Sequence, residues 1–159
     1  MEIIYKTNDT VTAEEMQSLE ESVGFGPHRN LQRNATALVG SLFVATARCD
    51  AQLVGMVRLV GDGAYILYIA GISVRPDFQR KGIGRKLMEM AVTFAKETKV
   101  GSGEDFGEFT LFANTGSDVF YEKLGFNLTP NGMVLTDTVF RRKHELEFQE
   151  EWKKKRKQR

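Results

Sequence analysis

Residues 75–86 gather five cations, Arg75, Arg80, Lys81, Arg85 and Lys86, around two glycines, Gly82 and Gly84. The run Val74-Arg75-Pro76-Asp77-Phe78-Gln79-Arg80-Lys81-Gly82-Ile83-Gly84 follows an apolar stretch and leads into an amphipathic one. A helix that starts at these glycines offers unpaired backbone N–H groups and the positive end of its dipole. Glycine removes the side chain that would hold a phosphate away. Together these features suit a pyrophosphate, although a glycine turn with solvated charges has the same composition. Two better-known phosphate loops are excluded. No Gly-Lys-Ser/Thr run follows a first glycine and its four spacers, and the third glycine or alanine of a dinucleotide fingerprint is replaced by Leu87.

The second cluster is Asn114-Thr115-Gly116-Ser117-Asp118-Val119-Phe120-Tyr121-Glu122-Lys123-Leu124-Gly125-Phe126. Ser117 or Asp118 can cap a short helix. Gly125 suits the left-handed position just past its end, and Phe126 can then fold back on Phe120 or Tyr121. Tyr121 is thereby expected on a rigid turn, either as a reactive phenol or as a half-buried aromatic.

The elements that must carry these clusters are read from periodicity. Residues 3–5 form a short strand. Thr12 and Glu15 make a capping box, and Met16, Leu19 and Val23 follow at helical spacing. The Gly24-Phe25-Gly26-Pro27 run ends that helix, and a second is predicted over 30–38. Residues 42–49 and 53–60 are β-rich and joined by a hairpin. Residues 65–74 are apolar on both faces, which predicts a strand in the sheet centre, and Gly71 within it predicts a bulge or a close backbone approach. Leu87, Met90, Ala91, Phe94 and Ala95 share one helical face. A strand over 109–113, a short helix over 118–124 and a hairpin turning at 130–132 complete the pattern.

At 159 residues with 42% hydrophobic content, the chain suits one core. No stretch has the length of apolar residues that a membrane helix needs, and no signal peptide is visible. Cys49 is the single cysteine, so no intrachain disulfide forms, and a cytoplasmic location is expected. The net charge of +1 is uneven: residues 141–159 hold nine Lys and Arg against four Asp and Glu. Glu150 and Glu151 precede Lys154 and Lys155 by four, so this tail reads as a solvated helix rather than a nucleic-acid arm. Phe148 and Trp152 share one of its faces and could dock on the body or a second subunit. His28 and His144 are isolated, so no metal site is expected.

Gln79-Arg80-Lys81-Gly82-Ile83-Gly84 resembles the Gln/Arg-x-x-Gly-x-Gly/Ala signature of the GNAT superfamily of N-acetyltransferases, and Phe120-Tyr121-Glu122-Lys123-Leu124-Gly125-Phe126 is similar to that family's second segment. The resemblance implies an α/β fold in one domain over residues 1–140, followed by a helical tail over 141–159. Its mixed, twisted sheet would splay open between two strands to take acetyl-CoA, with helices on its flanks. On the same basis, Ile72, Ser73 and Val74 hold the pantetheine arm, and Gln79, Arg80, Lys81, Gly82, Ile83, Gly84 and Arg85 wrap the pyrophosphate. Asn114 and Phe120 line the arm, and Tyr121 faces the sulfur as general acid. Phe25 and Arg29 border the acceptor, a small-molecule or peptide amine, and a homodimer is implied. Many relatives carry a carboxylate on the central strand. Residues 65–74 have none, which leaves water, Asp62, Tyr68 or the amine's own equilibrium as the source of base. The implied reaction is direct attack of the amine on the thioester, with backbone N–H groups near Ile72 receiving the oxyanion. The alternative is a GNAT fold that binds acyl-CoA without turnover.

Overall fold

The computed structural model describes residues 2–25, 30–98, 108–114 and 116–128. By its internal contacts the chain divides between Phe112 and Ala113 into two compact units. The tail and its boundary near residue 140 lie outside the described residues, as does the hairpin expected at 130–132.

The first unit is built on a five-stranded sheet in the order β1-β2-β3-β4-β5. The strands are β1 (Ile3–Thr7), β2 (Phe43–Cys49), β3 (Gln52–Gly61), β4 (Ile66–Val74) and β5 (Glu108–Thr110). The first four pair antiparallel and β5 joins β4 parallel, after the crossover helix α3 (Ile83–Glu97). This is the expected mixed sheet flanked by helices.

Helix α1 (Ala13–Ser22) starts where the capping box places it. The Glu15 N–H donates to Thr12 Oγ1 at 3.2 Å, and the Thr12 N–H donates to Glu15 Oε2 at 3.0 Å. The helix ends at Gly24, φ +85°, with the Phe25 N–H reaching back to the Glu20 carbonyl at 3.0 Å. Only glycine takes that backbone conformation without strain. Helix α2 (Leu31–Val39) is capped by Asn30, whose side chain accepts the Arg33 N–H at 2.9 Å.

The two sheet faces are covered by different helices. Met16 and Leu19 of α1 pack on Leu53 and Met56. On the opposite face α3 lays Ile83 and Leu87 against Gly55, stacks Phe94 on Phe43 at 4.5 Å between ring centroids, and packs Ala95 on Leu67. Leu87 is fully buried, and truncating it to alanine would cost about 2–5 kcal/mol. A register shift between Ala47 and Arg48 leaves Val54 as an extra residue in β3, so Leu53 returns to the face that carries Met56.

Three arginines tie the elements together. Arg48 Nε lies 2.7 Å from Asp9 Oδ2 and its Nη1 lies 2.6 Å from Glu15 Oε1. Thr46 also donates to Asp9 Oδ2, at 2.8 Å. The hydrogen bond from Arg48 holds the Glu15 carboxyl below its ordinary pKa. Partial burial raises that of Asp9, but hydrogen bonds from Arg48 and Thr46 and the charges of Arg48 and Lys6 bring it below the ordinary value. Arg58, buried in β3, donates to the Ala37 carbonyl at 3.1 Å and to Ser41 Oγ at 3.2 Å, which anchors the end of α2. The third, Arg75, sits where β4 enters the cation-rich loop.

Candidate active site

Strand β4 was expected in the sheet centre because both its faces are apolar. It is an internal strand, but only its first half is covered. Leu67 and Ile69 are buried, and residues 70–75 are half-buried. The cause is the shortness of β5. That strand pairs through Glu108, Phe109 and Thr110 with Ile66, Leu67 and Tyr68, and the strand expected over 109–113 ends at Thr110. From Ile69 onward, β4 has a strand partner on one side only among the described residues. The two strands fork at Tyr68, whose ring lies 6.0 Å from that of Phe112.

The direction of the free backbone groups follows from one bond. The Arg75 N–H donates to the Val54 carbonyl at 2.9 Å, which makes Arg75 and Val54 a hydrogen-bonded pair. Antiparallel alternation then turns Ser73 toward β3, and turns the N–H and C=O of Ile72 and Val74 toward the fork. The Val74 carbonyl is taken by Gln79 Nε2 at 2.9 Å. Both amide groups of Ile72 and the N–H of Val74 face the fork with no strand partner among the described residues. Just before them, Arg58 stands opposite Gly71 and Leu59 opposite Ile69, so Ala70 is the extra residue of the expected bulge. A Cβ at Gly71 would meet nothing within 4 Å among the described residues, so their packing does not call for glycine there.

After Val74 the chain makes a 3-10 turn at Pro76–Phe78 and enters α3 through Arg80, φ +57°, and Gly82, φ +82°. The Lys86 N–H bonds the Gly82 carbonyl at 3.0 Å, so the N–H groups of Ile83, Gly84 and Arg85 form the open first turn. That turn has no side-chain cap and no acidic residue. It is a place for an anion, supplied by the backbone of residues the sequence had singled out.

The side chains around it are less available than their charges suggested. Arg75 Nε donates to the Leu53 carbonyl at 2.9 Å, and its Nη2 donates to Ser18 Oγ at 2.8 Å. Lys81 Nζ donates to the Asp77 carbonyl at 2.8 Å and stands 5.3 Å from the centre of the Phe78 ring. Arg85 pairs with Glu89 at 3.3 Å on the exposed helix surface. Arg80 and Lys86 are exposed.

Two of the groups considered as a base are now placed. Asp62 Oδ1 accepts the N–H groups of Ala64, Tyr65 and Ile66 at 2.9, 2.9 and 3.0 Å. Those bonds, that of Ile66 foremost, hold its carboxyl below the ordinary range, which makes it a turn-forming group and a weak base. Tyr68 is half-buried at the fork itself. Cys49 is buried in the sheet, as a small core residue would be. Among the described residues no three His, Cys, Asp or Glu converge as metal ligands. No described helix is long and apolar enough to cross a membrane. A separate cleft of about 360 Å³ runs along α3 past Phe43, Met90 and Phe94, and no β4 residue lines it.

In the second unit, α4 (Asp118–Glu122) follows Ser117, whose Oγ donates to the Asn114 carbonyl at 2.7 Å instead of capping the helix. The helix stops at Glu122, two residues short of the expected 118–124, but the closing turn forms as its sequence predicts. Gly125 has φ +91°, its N–H bonds the Glu122 carbonyl at 3.0 Å, and the Phe126 N–H bonds the Tyr121 carbonyl at 3.1 Å. The Tyr121 ring meets Phe126 edge-on at 6.1 Å and Phe120 at 5.1 Å. Tyr121 is therefore held on both sides, at a half-buried position. Of the two residues expected to border an acceptor, Phe25 is half-buried at the end of α1 and Arg29 lies outside the described residues.

Sequence reasoning missed the Arg75 clamp and the need for Gly55, whose Cβ would stand 3.1 Å from Leu87 Cδ1 and 3.2 Å from Ile83 Cγ2. A glycine in the middle of a β-rich run was the available signal for the second.

Comparison with known proteins bears on the family and the fold. A family model described as an acetyltransferase (GNAT) domain matches residues 39–128. The soybean (Glycine max) protein called histone acetyltransferase TAP1 is 30% identical over 143 residues, which cover 83% of this chain and 59% of that one. The chain spans between half and three-fifths of the length of the curated relatives it matches first. A solved probable acetyltransferase from methicillin-resistant Staphylococcus aureus superposes with a TM-score of 0.72 at 28% identity, covering 84% of this chain and all of that one. A GNAT family acetyltransferase from Streptococcus pneumoniae gives 0.70 at 27% identity, over 86% of this chain and 98% of its own.

Proposed function

This chain belongs to the GNAT acetyltransferases, and from that premise we propose that it transfers an acetyl group from acetyl-CoA to a primary amine on a small molecule or peptide, by direct attack. The observation that carries the proposal is the fork. Among the described residues an internal strand loses its β5 neighbour after Tyr68, turns the amides of Ile72 and Val74 to that side, and runs within nine residues into a helix with an open first turn. An extended chain of amides ending in a pyrophosphate fits that sequence of groups. The pantetheine amides bond the Ile72 and Val74 edge, as an added strand would. The pyrophosphate takes the N–H groups of Ile83, Gly84 and Arg85, with Arg80 and Lys86 adding charge.

The chemistry asks little of the side chains. The amine must be unprotonated to attack the thioester carbonyl. A fixed backbone N–H near Ile72 receives the developing oxyanion without reorganising. Tyr121 gives its proton to the departing thiolate, a role taken from the family resemblance and supported by the rigid seat of its ring. Asp62 is not used as the base, since three N–H donors stabilise its charged form. The homodimer implied by the resemblance belongs to this proposal, and sedimentation at micromolar concentration tests it.

The decisive experiment combines calorimetry with coenzyme A and acetyl-CoA with an assay of thiol release over a panel of amines. Binding together with amine-dependent thiol release is the expected result. Binding with no release from any amine would favour an acyl-CoA sensor instead, and no binding would end the proposal.

A further inference from the structure

Arg75 reads in the sequence as one more cation of the phosphate loop, yet its guanidinium points elsewhere. Its Nε donates to the Leu53 carbonyl at 2.9 Å and its Nη2 to Ser18 Oγ on α1 at 2.8 Å. Its backbone N–H donates to the Val54 carbonyl at 2.9 Å, and its own carbonyl accepts the Phe78 N–H at 2.9 Å, closing the 3-10 turn. One half-buried residue thus joins the end of β4, the start of β3, the body of α1 and the loop that leads to Gly82. The next bonds continue the chain. The Gln79 N–H donates to the Pro76 carbonyl at 3.1 Å, and its side chain returns to the Val74 carbonyl at 2.9 Å. The end of β4 and the loop that leads into α3 are both bonded at this junction.

We propose that Arg75 is a positioning residue that couples α1 to the cofactor loop, so that the Ser18 side of α1 and the coenzyme A site share one energetic link. This rests on the assignment of the fork and of the first turn of α3 to coenzyme A. Arg75 then acts through geometry and not through its charge. Arginine's planar fork serves two acceptors at a fixed angle, and lysine offers a single point charge that cannot reach both in the same way. Ser18 has no part in the phosphate cradle, so any effect of its hydroxyl on coenzyme A affinity must pass through Arg75.

The test uses the full chain and measures the Kd for coenzyme A by calorimetry, well below each variant's Tm. Arg75→Met, Arg75→Lys and Ser18→Ala are each compared with wild type, together with the Arg75→Met/Ser18→Ala pair. The expected result is a rise in Kd of about ten-fold for both Arg75 variants and a smaller one for Ser18→Ala. The double variant should be no worse than Arg75→Met alone, because Ser18 acts through the guanidinium. A purely structural role would lower Tm and leave Kd where it is, which would overturn the proposal. A lysine variant that binds like wild type would overturn it as well, by showing that charge near the phosphates is what matters. If the Arg75 variants fail to fold, Ser18→Ala carries the test by itself, and an unchanged Kd there refutes the coupling. Failure of the wild-type protein to bind coenzyme A would instead remove the assignment on which the coupling rests.

Discussion

Gly82 offers a test in which the local geometry separates strain from crowding. Its φ of +82° lies in the left-handed region, and a Cβ built there would meet nothing within 4 Å among the described residues. The Gly82→Ala substitution therefore costs conformational strain only, about 1–2 kcal/mol. The lower entropy of the unfolded alanine chain returns about 0.4–1 kcal/mol of this. The net loss is then about 1 kcal/mol, or a fall in Tm of about 2–4 °C for a protein of this size. Binding should suffer more than stability. If the loop relaxes toward a conformation that alanine prefers, the first-turn N–H groups turn away from the pyrophosphate. A hydrogen bond to a charged group is worth about 1.5–3 kcal/mol, so losing one weakens coenzyme A about ten- to hundred-fold. Gly82→Asn is the control, because asparagine enters the left-handed region at lower cost and should fall between wild type and alanine in both measurements. Urea denaturation and calorimetry with coenzyme A give the two quantities. A folded alanine variant that binds within about two-fold of wild type would refute the claim that this φ aims the phosphate-binding groups.

Gly84→Asp places an anion in the first turn of α3, and a large loss of acetyl-CoA affinity is expected in a protein that remains folded; calorimetry showing unchanged affinity would remove the phosphate from this turn. Tyr121→Phe keeps the ring contacts with Phe120 and Phe126 and removes the hydroxyl. Under conditions where chemistry limits turnover, kcat should fall by about 10²- to 10⁴-fold with little change in acetyl-CoA affinity, and a variant with wild-type kcat would leave Tyr121 a structural residue. The Arg48 cluster predicts acid sensitivity. Asp9 and Glu15 titrate below their ordinary values of 3.8 and 4.5, so their contribution to stability is complete above those values and is lost as pH falls through the lower folded ones. The urea midpoint of wild type should therefore drop more between pH 7 and pH 3 than that of Arg48→Met, and parallel pH profiles for the two proteins would show that the cluster carries no such linkage.

What the sequence made legible was decided within a few residues along the chain. The capping box joins Thr12 to Glu15, Gly24 and Gly125 end their helices in the left-handed conformation, and the change of period at Ile83 marks the start of α3. Each is local chemistry with one strongly favoured answer. The features that shape the candidate site are of another kind. Arg75 meets Ser18 across 57 positions, and Arg48 meets Glu15 across 33. No spacing rule reaches that far, and an arginine among lysines beside glycines reads as a phosphate ligand until its acceptors are seen. The fork was expected from the family resemblance alone, not from the residues that form it. Residues 109–113 have strand-like composition throughout, and pairing stops at Thr110.

Asp62 shows why position along the chain misleads when a base is sought. It stands three residues before the stretch 65–74, which carries no carboxylate of its own. A useful base needs a proton affinity near that of the working pH. Three backbone N–H groups converge on one Asp62 oxygen and favour its charged form, which lowers that affinity. The same bonds close the β3–β4 turn and so set where β4 begins, at the opposite end of the strand from Ile72 and Val74. Removing those donors to raise its proton affinity would release the turn that places the strand. The two demands conflict at this residue, and the turn takes it.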